Sequence, residues 1–194
     1  MYQEQEVSSG YNLEQAKQIL VDNGWIFRNK TWRKTENYKT QSIALNLIIK
    51  ASNANHKAVA QNIKTQLANQ GIIINIQEYS DDQYYNAINN KAYDMILCSV
   101  NLSPNPDMTM FFGDNNLANY YSDEISKIMD EVKNTTDEEI IKNDYKRLAE
   151  IYKTEVPYIS LYNNKYITAF SNQLAGTMNS NWFNPFNGIE TWYR

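Results

Sequence analysis

Polar side chains follow an apolar, strand-like run at residues 93–100 and could hydrogen-bond a ligand. Five of them stand at the end of this run or in the Pro- and Asn-rich stretch behind it: Ser99, Asn101, Ser103, Asn105 and Asp107. Open α/β sheets bind ligands at the carboxyl ends of their strands. These groups could donate or accept hydrogen bonds to a ligand, and Asp107 could pair with a ligand amine. The same residue types also dominate turns for local reasons, and Asp107 could instead cap the helical turn that follows.

Further candidates for ligand contact lie near this stretch and behind an earlier apolar run. Phe111 and Phe112 could line an apolar pocket, with one ring facing the core and the other facing the ligand. Tyr120 and Tyr121 precede a helical pattern and could be exposed in the same cleft. Asn53 follows an apolar strand and so falls at a second carboxyl end. The alternative for Asn53 is an ordinary polar turn.

Catalytic chemistry has little support in the sequence. The chain has one histidine, His56, and one cysteine, Cys98, so a Ser-His-Asp or Cys-His arrangement would have to use His56. We expect His56 to be exposed or to cap a helix, and Cys98 to be a small buried side chain within a strand. Carboxylate pairs stand at predicted helix starts, where the helix dipole explains them: Asp81 and Asp82, Asp123 and Glu124, and Glu138 and Glu139. The sequence predicts a protein that is not an enzyme.

Metal, cofactor and nucleic-acid sites are not predicted either. One histidine and one cysteine cannot build a zinc site from several such ligands. The glycine-rich motifs that cradle phosphates are absent. A formal net charge of −4 without a block of Lys or Arg argues against a nucleic-acid or anionic-membrane partner. No apolar run approaches the roughly 20 residues that span a bilayer.

Alternating strands and helices must position the candidate residues. Apolar, β-branched runs at 43–49, 72–76 and 93–100 predict three strands. Helical spacing of apolar residues over 57–70 predicts a helix between the first two, and Asp81 could cap a short helix before the third. The order strand, helix, strand, helix, strand predicts parallel pairing with right-handed crossovers.

The N-terminal flank begins with a polar stretch, residues 1–10, which reads as a disordered leader or a linker. Asn12 and Gln15 then form a capping-box variant at the start of a helix with one apolar face. Residues 26–40 mix aromatic and basic side chains and predict an exposed hairpin or a long loop.

Helices dominate the second half of the chain. Ser122 could cap one helix, and Thr136 with Glu139 forms a T-x-x-E capping box for another. After Pro157, the runs 158–162 and 166–170 predict two strands.

Five stretches together resemble one protein family. In chain order they are YNLEQAKQILVDNGW, HKAVAQNIKTQLANQGIIINI, YYNAINNKAYDMILCSV, SPNPDMTMFF and DYKRLAEIYKTEVPYISLYNN. They resemble the C-terminal lobe of the family 5 extracellular solute-binding proteins, the peptide- and nickel-binding receptors of ABC importers. The resemblance rests on all five stretches occurring in the same order as in the family.

The resemblance implies an α/β lobe of the type II periplasmic-binding-protein kind, with a mixed, mostly parallel sheet flanked by helices. Residues 11–170 would be the solute-binding lobe, and residues 171–194 would return toward an N-terminal lobe that this chain lacks. A small solute, with oligopeptide as the expected class, would be enclosed between the lobes, and an ABC permease would recognise the closed state. The receptor would lie in the periplasm or on the extracellular face of the membrane, held by a lipid anchor outside this chain.

The chain departs from the family pattern at two places. The family often has a Trp shortly after its Tyr-Asp strand, where this chain has Ser99, Val100 and Asn101, and its Asp-Pro loop is reshaped at residues 103–107. Two other function classes stay open beside the receptor. A small carboxylate-dependent hydrolase would need two converging acids, and the ligand-sensing effector domain of a regulator would need a DNA-binding or membrane-linked segment.

Overall fold

The structure, a computed structural model, describes residues 10–101, 108–163, 167–181 and 183–194. Its elements in chain order are α1 Leu13–Asp22, β1 Ile26–Arg28, β2 Thr31–Glu36, β3 Lys39–Ser42, β4 Ala44–Lys50, α2 Ala54–Asn69, β5 Ile73–Tyr79, α3 Asp81–Asn89, β6 Met95–Ile96, α4 Thr109–Phe112, α5 Asp123–Asn134, α6 Glu138–Glu155 and a 3₁₀ helix Ile189–Thr191. The leader predicted for residues 1–10 lies outside the described residues except for Gly10.

A three-stranded parallel sheet with the order β5-β4-β6 forms the centre of the first half. Leu47 and Ile49 of the central strand pack with Ala60 of α2 on one face. Ile48 points to the other face and packs with Tyr84 of α3. Both faces are therefore buried, which explains why β4 is an almost continuous apolar run. The predicted fold class, an α/β lobe with a parallel sheet between helices, is confirmed.

The third strand of this sheet is shorter than predicted. Only Met95 and Ile96 form β6, whereas the sequence pattern predicted a strand over residues 93–100. The Leu97 N–H still donates to the Ile48 carbonyl at 3.2 Å, and the chain leaves the sheet after that bond. Cys98 consequently lies at the end of the strand and is half-buried rather than fully buried.

A second, antiparallel sheet with the order β1-β2-β3 occupies the segment predicted as a hairpin or long loop. Its two turns each place two residues at positive φ, Asn29 with Lys30 and Asn37 with Tyr38. Two such residues in a two-residue connection define a type I′ turn, whose twist matches that of the flanking strands. The buried Trp32 donates its Nε1–H to the Gln70 carbonyl at 2.8 Å and so ties this sheet to the end of α2.

Helix α1 is capped as predicted but buries none of its residues. The Asn12 side chain accepts the Gln15 N–H at 3.0 Å. The apolar stripe that the sequence predicted is open, and Ile19 is 55 % exposed.

Helices α4, α5 and α6 enclose a second core. Its buried members are Phe112, Ile125, Ile128, Met129 and Leu148. Among the described helices, none combines the length and the apolar character that a bilayer crossing requires.

Two of the predicted helix caps are wrong by one residue, while a third is right. Ser122 caps α5 as predicted. Helix α6 is capped by Asp137, whose Oδ1 accepts the Glu139 N–H at 2.9 Å, and not by Thr136. Helix α3 is capped by Ser80 in a capping box with Gln83, which leaves Asp81 as its first residue.

The two strands predicted at 158–162 and 166–170 are wrong where the structure describes them. Residues 158–163 and 167–170 belong to no strand. Tyr158 instead forms a hub, because its hydroxyl donates to the Phe111 carbonyl at 2.9 Å and accepts the Ala118 N–H at 3.1 Å. The hydroxyl also lies 3.2 Å from Oδ1 of the buried Asn116.

A candidate ligand site at the carboxyl edge of the parallel sheet

The parallel register brings the ends of three strands to one edge of the sheet. Strand β4 ends at Lys50, β5 ends at Tyr79 and β6 leads into residues 97–101. Helix α2 also begins at this edge. Polar groups that follow these strands are therefore collected in one place, as in other open α/β sheets.

Asn53 caps the helix that starts at this edge. Its side-chain oxygen accepts the His56 N–H at 3.1 Å, and its backbone is extended, with φ −103° and ψ 100°. The helix begins at Ala54, three residues earlier than the predicted Lys57. The bond gives Asn53 a local role that the sequence did not assign to it.

His56 is buried, which corrects the prediction of an exposed or capping residue. Its side chain is only 5 % exposed, and its Nε2 lies 3.2 Å from the Ser99 hydroxyl oxygen. Its other ring nitrogen, Nδ1, is buried and has no hydrogen-bond partner within the described part of the chain. Burial lowers the pKa of His56, and the nearby charge of Lys50 lowers it further. The ring is therefore held in its neutral form.

Lys50 forms the cationic part of the edge, and sequence reasoning missed it. Its Nζ donates to the Tyr85 hydroxyl at 2.8 Å, lies 3.7 Å from Asp81 Oδ2 and sits 4.1 Å from the centre of the Tyr85 ring. The hydrogen bond to Tyr85 raises the pKa of Lys50, and the charge of Asp81 acts in the same direction. Ser52 donates to the other oxygen of Asp81 at 3.0 Å. The position of Lys50 directly after the apolar run LNLII was the available signal.

The candidates that follow β6 divide into described and undescribed residues. Ser99 and Asn101 are exposed at the carboxyl edge. Ser103, Asn105 and Asp107 lie outside the described residues. Their predicted contacts with a ligand stay predictions, as does the alternative cap by Asp107.

Three of the four aromatic candidates, Phe111, Phe112 and Tyr120, belong to the helical core. Phe112 is buried there, and Phe111 is half-buried, with its ring centre 5.3 Å from that of Tyr158. Tyr120 packs against the same core and is fixed by two backbone hydrogen bonds to the Asn116 side chain. Tyr121 is 59 % exposed.

The groups at the carboxyl edge can bind but do not form a reactive centre. Within the described ranges, no three or more His, Cys, Asp or Glu side chains are grouped to hold a metal ion. Asp81 and Asp82 stand in the first turn of α3, and Asp81 is engaged by Lys50 and Ser52. Burial raises the pKa of Cys98, which keeps its thiol protonated and weakly nucleophilic. What the described residues offer here is a set of hydrogen-bonding groups with the Lys50 cation.

Solved structures of several binding proteins share this fold. The chain is 22% identical to the oligopeptide-binding protein AppA from Bacillus subtilis, solved with a nonapeptide, over 94% of this chain and 37% of that one, with a TM-score of 0.71. It is 21% identical to a periplasmic oligopeptide-binding protein from Thermotoga maritima, over 95% of this chain and 38% of that one, with a TM-score of 0.77. It is 15% identical to NikZ from Campylobacter jejuni, solved with Ni(L-His), over 95% of this chain and 39% of that one, with a TM-score of 0.68. This chain thus spans well under half the length of each of them.

A family model also matches the sequence. No match was found among curated proteins. The model for the bacterial extracellular solute-binding proteins, family 5 Middle, matches residues 1–122, which is more than half of the 194 residues. The match includes the whole parallel sheet and the residues at its carboxyl edge. The chain therefore belongs to family 5 of the bacterial extracellular solute-binding proteins.

Proposed function

We propose that this chain is one lobe of a receptor that captures a small solute between two lobes and delivers it to an ABC importer. The observation that carries the proposal is the carboxyl edge of the sheet, where β4 ends at Lys50 and the exposed Ser99 and Asn101 follow β6. Such an edge offers half of a binding site. Closure of a second lobe over it would bury the solute and stabilise the closed state.

Binding without catalysis follows from the family. Family 5 proteins are binding proteins and not enzymes, and they are extracellular or periplasmic. For this chain we propose the same surroundings, together with a lipid anchor outside the sequence given and an ABC permease as the partner.

Oligopeptide is the solute class that we propose. Two of the structural neighbours are oligopeptide-binding proteins, one of them solved with a nonapeptide. Exposed hydroxyl and amide side chains suit the alternating N–H and C=O groups of a peptide backbone. The rival solute is a nickel complex, because NikZ was solved with Ni(L-His).

The second lobe would cover apolar surface that this chain leaves open. Large apolar side chains are exposed beyond α6, among them Ile159 at 72%, Ile167 at 92%, Phe186 at 62% and Tyr193 at 65%. Surface of this kind marks an interaction site. We propose that residues 171–194 return toward the other lobe, as the family resemblance implies.

Calorimetry tests this proposal. A pool of tripeptides to pentapeptides is titrated into the 194-residue chain and into the protein that also carries the second lobe. We expect weak or undetectable binding by the 194 residues and clear binding by the two-lobed protein. Micromolar affinity for the 194 residues alone would contradict the shared site. Ni(L-His) is titrated into the same two proteins in parallel. If the two-lobed protein binds Ni(L-His) and no peptide, a nickel complex replaces oligopeptide as the proposed solute.

A further inference from the structure

We propose that His56 is a positioning residue, which donates its Nε2–H to Ser99 Oγ and leaves the Ser99 hydroxyl hydrogen free for an acceptor oxygen of the solute. The inference rests on the proposed function, because it names the chemical group that the solute offers to this point of the site. That group is a carbonyl or carboxylate oxygen.

Among the described residues, the His56 ring makes one polar contact. Nε2 lies 3.2 Å from Ser99 Oγ, while the buried Nδ1 has no hydrogen-bond partner in that part of the chain. Two neutral forms of the ring fit that distance. In one, Nε2 carries the hydrogen and donates to Ser99; in the other, Nδ1 carries it and Nε2 accepts from Ser99.

The electrostatic surroundings select between the two forms. His56 is the third residue of α2, in the first turn, where free backbone N–H groups make the potential positive. Lys50 adds positive charge nearby, part of which its contact with Asp81 offsets. A positive potential favours a lone pair on Nδ1 over a buried N–H without an acceptor. The hydrogen therefore belongs on Nε2.

The consequence for Ser99 is a fixed direction of donation. A hydroxyl has one hydrogen and two lone pairs, so accepting from His56 leaves its hydrogen unused. Ser99 is exposed at the carboxyl edge, whereas His56 is 5 % exposed. The buried ring thus orients an accessible donor without needing to touch the solute. A carbonyl or carboxylate oxygen of the solute can accept this hydrogen at that point of the site.

Nitrogen NMR of the ring tests the arrangement directly. His56 is the single histidine of the chain, so its two ring nitrogens are assigned without ambiguity. At about pH 8, above the ordinary histidine pKa of about 6.5, we expect a protonated Nε2 and an unprotonated Nδ1. Ser99→Ala should shift the Nε2 resonance, while the exposed-site control Ser126→Ala should leave it unchanged. A ring protonated on Nδ1, or an Nε2 signal indifferent to Ser99→Ala, would overturn the inference.

Binding measurements on the two-lobed protein test the role in recognition. The probe is tetra-alanine, titrated into the wild type, Ser99→Ala, His56→Phe and the double variant. We expect each single variant to bind about tenfold more weakly and the double variant to be no weaker than either, because Ser99→Ala removes the donor and His56→Phe removes the bond that orients it. His56→Gln keeps a side-chain N–H and should restore binding to within about threefold of the wild type. If the losses of affinity in the two single variants add in the double variant, His56 and Ser99 act independently and the inference is overturned.

The two proposals fail in different ways. If the wild type binds no tetra-alanine while the ring shows the expected form, the oligopeptide proposal is contradicted and the arrangement of donors stands. If the wild type binds and His56→Phe binds equally well with an unchanged melting temperature, His56 does not position Ser99. If His56→Phe lowers the melting temperature and His56→Gln does not, the binding comparison uses His56→Gln and Ser99→Ala only. Binding by His56→Gln as weak as that of Ser99→Ala would then contradict the positioning role.

Discussion

The side-chain oxygen of Asn53 lies 3.1 Å from the backbone nitrogen of His56 and accepts its hydrogen. One bond therefore starts α2 and fixes the turn from which the His56 ring reaches Ser99, 43 residues further along the chain. The helix cap and the candidate site share this turn. Effects on stability and effects on solute binding are therefore distinguished by substitutions that change only one of the two.

Removing the cap should cost stability. We expect Asn53→Ala to lower the free energy of unfolding by about 1 kcal/mol, because one N–H of the first turn loses its acceptor. Asn53→Asp keeps an acceptor and should remain close to the wild type. Urea unfolding measures both, with Asn55→Ala, at an exposed position in the same turn, as the control. Equal losses for Asn53→Ala and Asn53→Asp would rule out the cap as the cause.

The Tyr158 hydroxyl should contribute to the stability of the helical half. It contacts Phe111, Asn116 and Ala118. Tyr158→Phe leaves these groups without that partner, and we expect a loss of about 1–3 kcal/mol in the free energy of unfolding. Tyr38→Phe, at a fully exposed ring, should change it by less than about 0.5 kcal/mol. A Tyr158→Phe protein as stable as Tyr38→Phe would show that the hub contributes nothing.

Acid should destabilise the fold through His56. The pKa of this residue is lowered in the folded chain relative to 6.5, so below 6.5 the unfolded chain binds more protons than the folded one. The contribution is fully present above 6.5 and is lost as the pH falls toward the lowered folded value. Urea unfolding from pH 8 to pH 5 should show this loss in the wild type and a smaller one in His56→Gln. Parallel profiles for the two proteins would contradict it.

Cys98 should react slowly in the folded chain. Burial raises its thiol pKa above the ordinary value, so little thiolate is present near neutral pH. We expect the rate with a thiol-specific disulfide reagent to rise at least about tenfold when the chain is unfolded in urea. Because this is the single cysteine, the signal needs no correction for other thiols. A rate in the folded chain equal to that of the unfolded chain is the contrary result.

Local patterns in the sequence predicted the α/β half well. The continuous apolar run predicted β4, and the helical spacing of apolar residues predicted α2. Each pattern depends only on the burial of that element against a neighbouring one. The Ser80-x-x-Gln83 capping box was present in the sequence, and reading it would have placed the start of α3 correctly. For α6, Thr136 and Asp137 are both competent caps, and local pattern does not choose between them.

The remaining differences depend on contacts between distant residues. His56 contacts Ser99, a residue 43 positions away in the sequence that approaches it through the pairing of β4 with β6. Residues 158–162 alternate like a strand, but a strand needs a partner, and Tyr158 contacts the 111–118 segment instead. The roles of Asn53 and Ser99 toward a solute stay predictions, since a sequence pattern places side chains at an edge without showing what binds there.

The two-residue strand β6 sets the order in which the sheet is completed. Leu47 of β4 pairs with Ile76 of β5 and also with Met95 of β6, so the chain between β4 and β6 forms a longer loop than the chain between β4 and β5. Closing the longer loop costs more entropy and returns fewer ladder bonds, so we expect β6 to dock last during folding. Its amides should also exchange hydrogen with solvent before those of β4 and β5. Ser99 would then be carried by the last part of the sheet to assemble and the first to open.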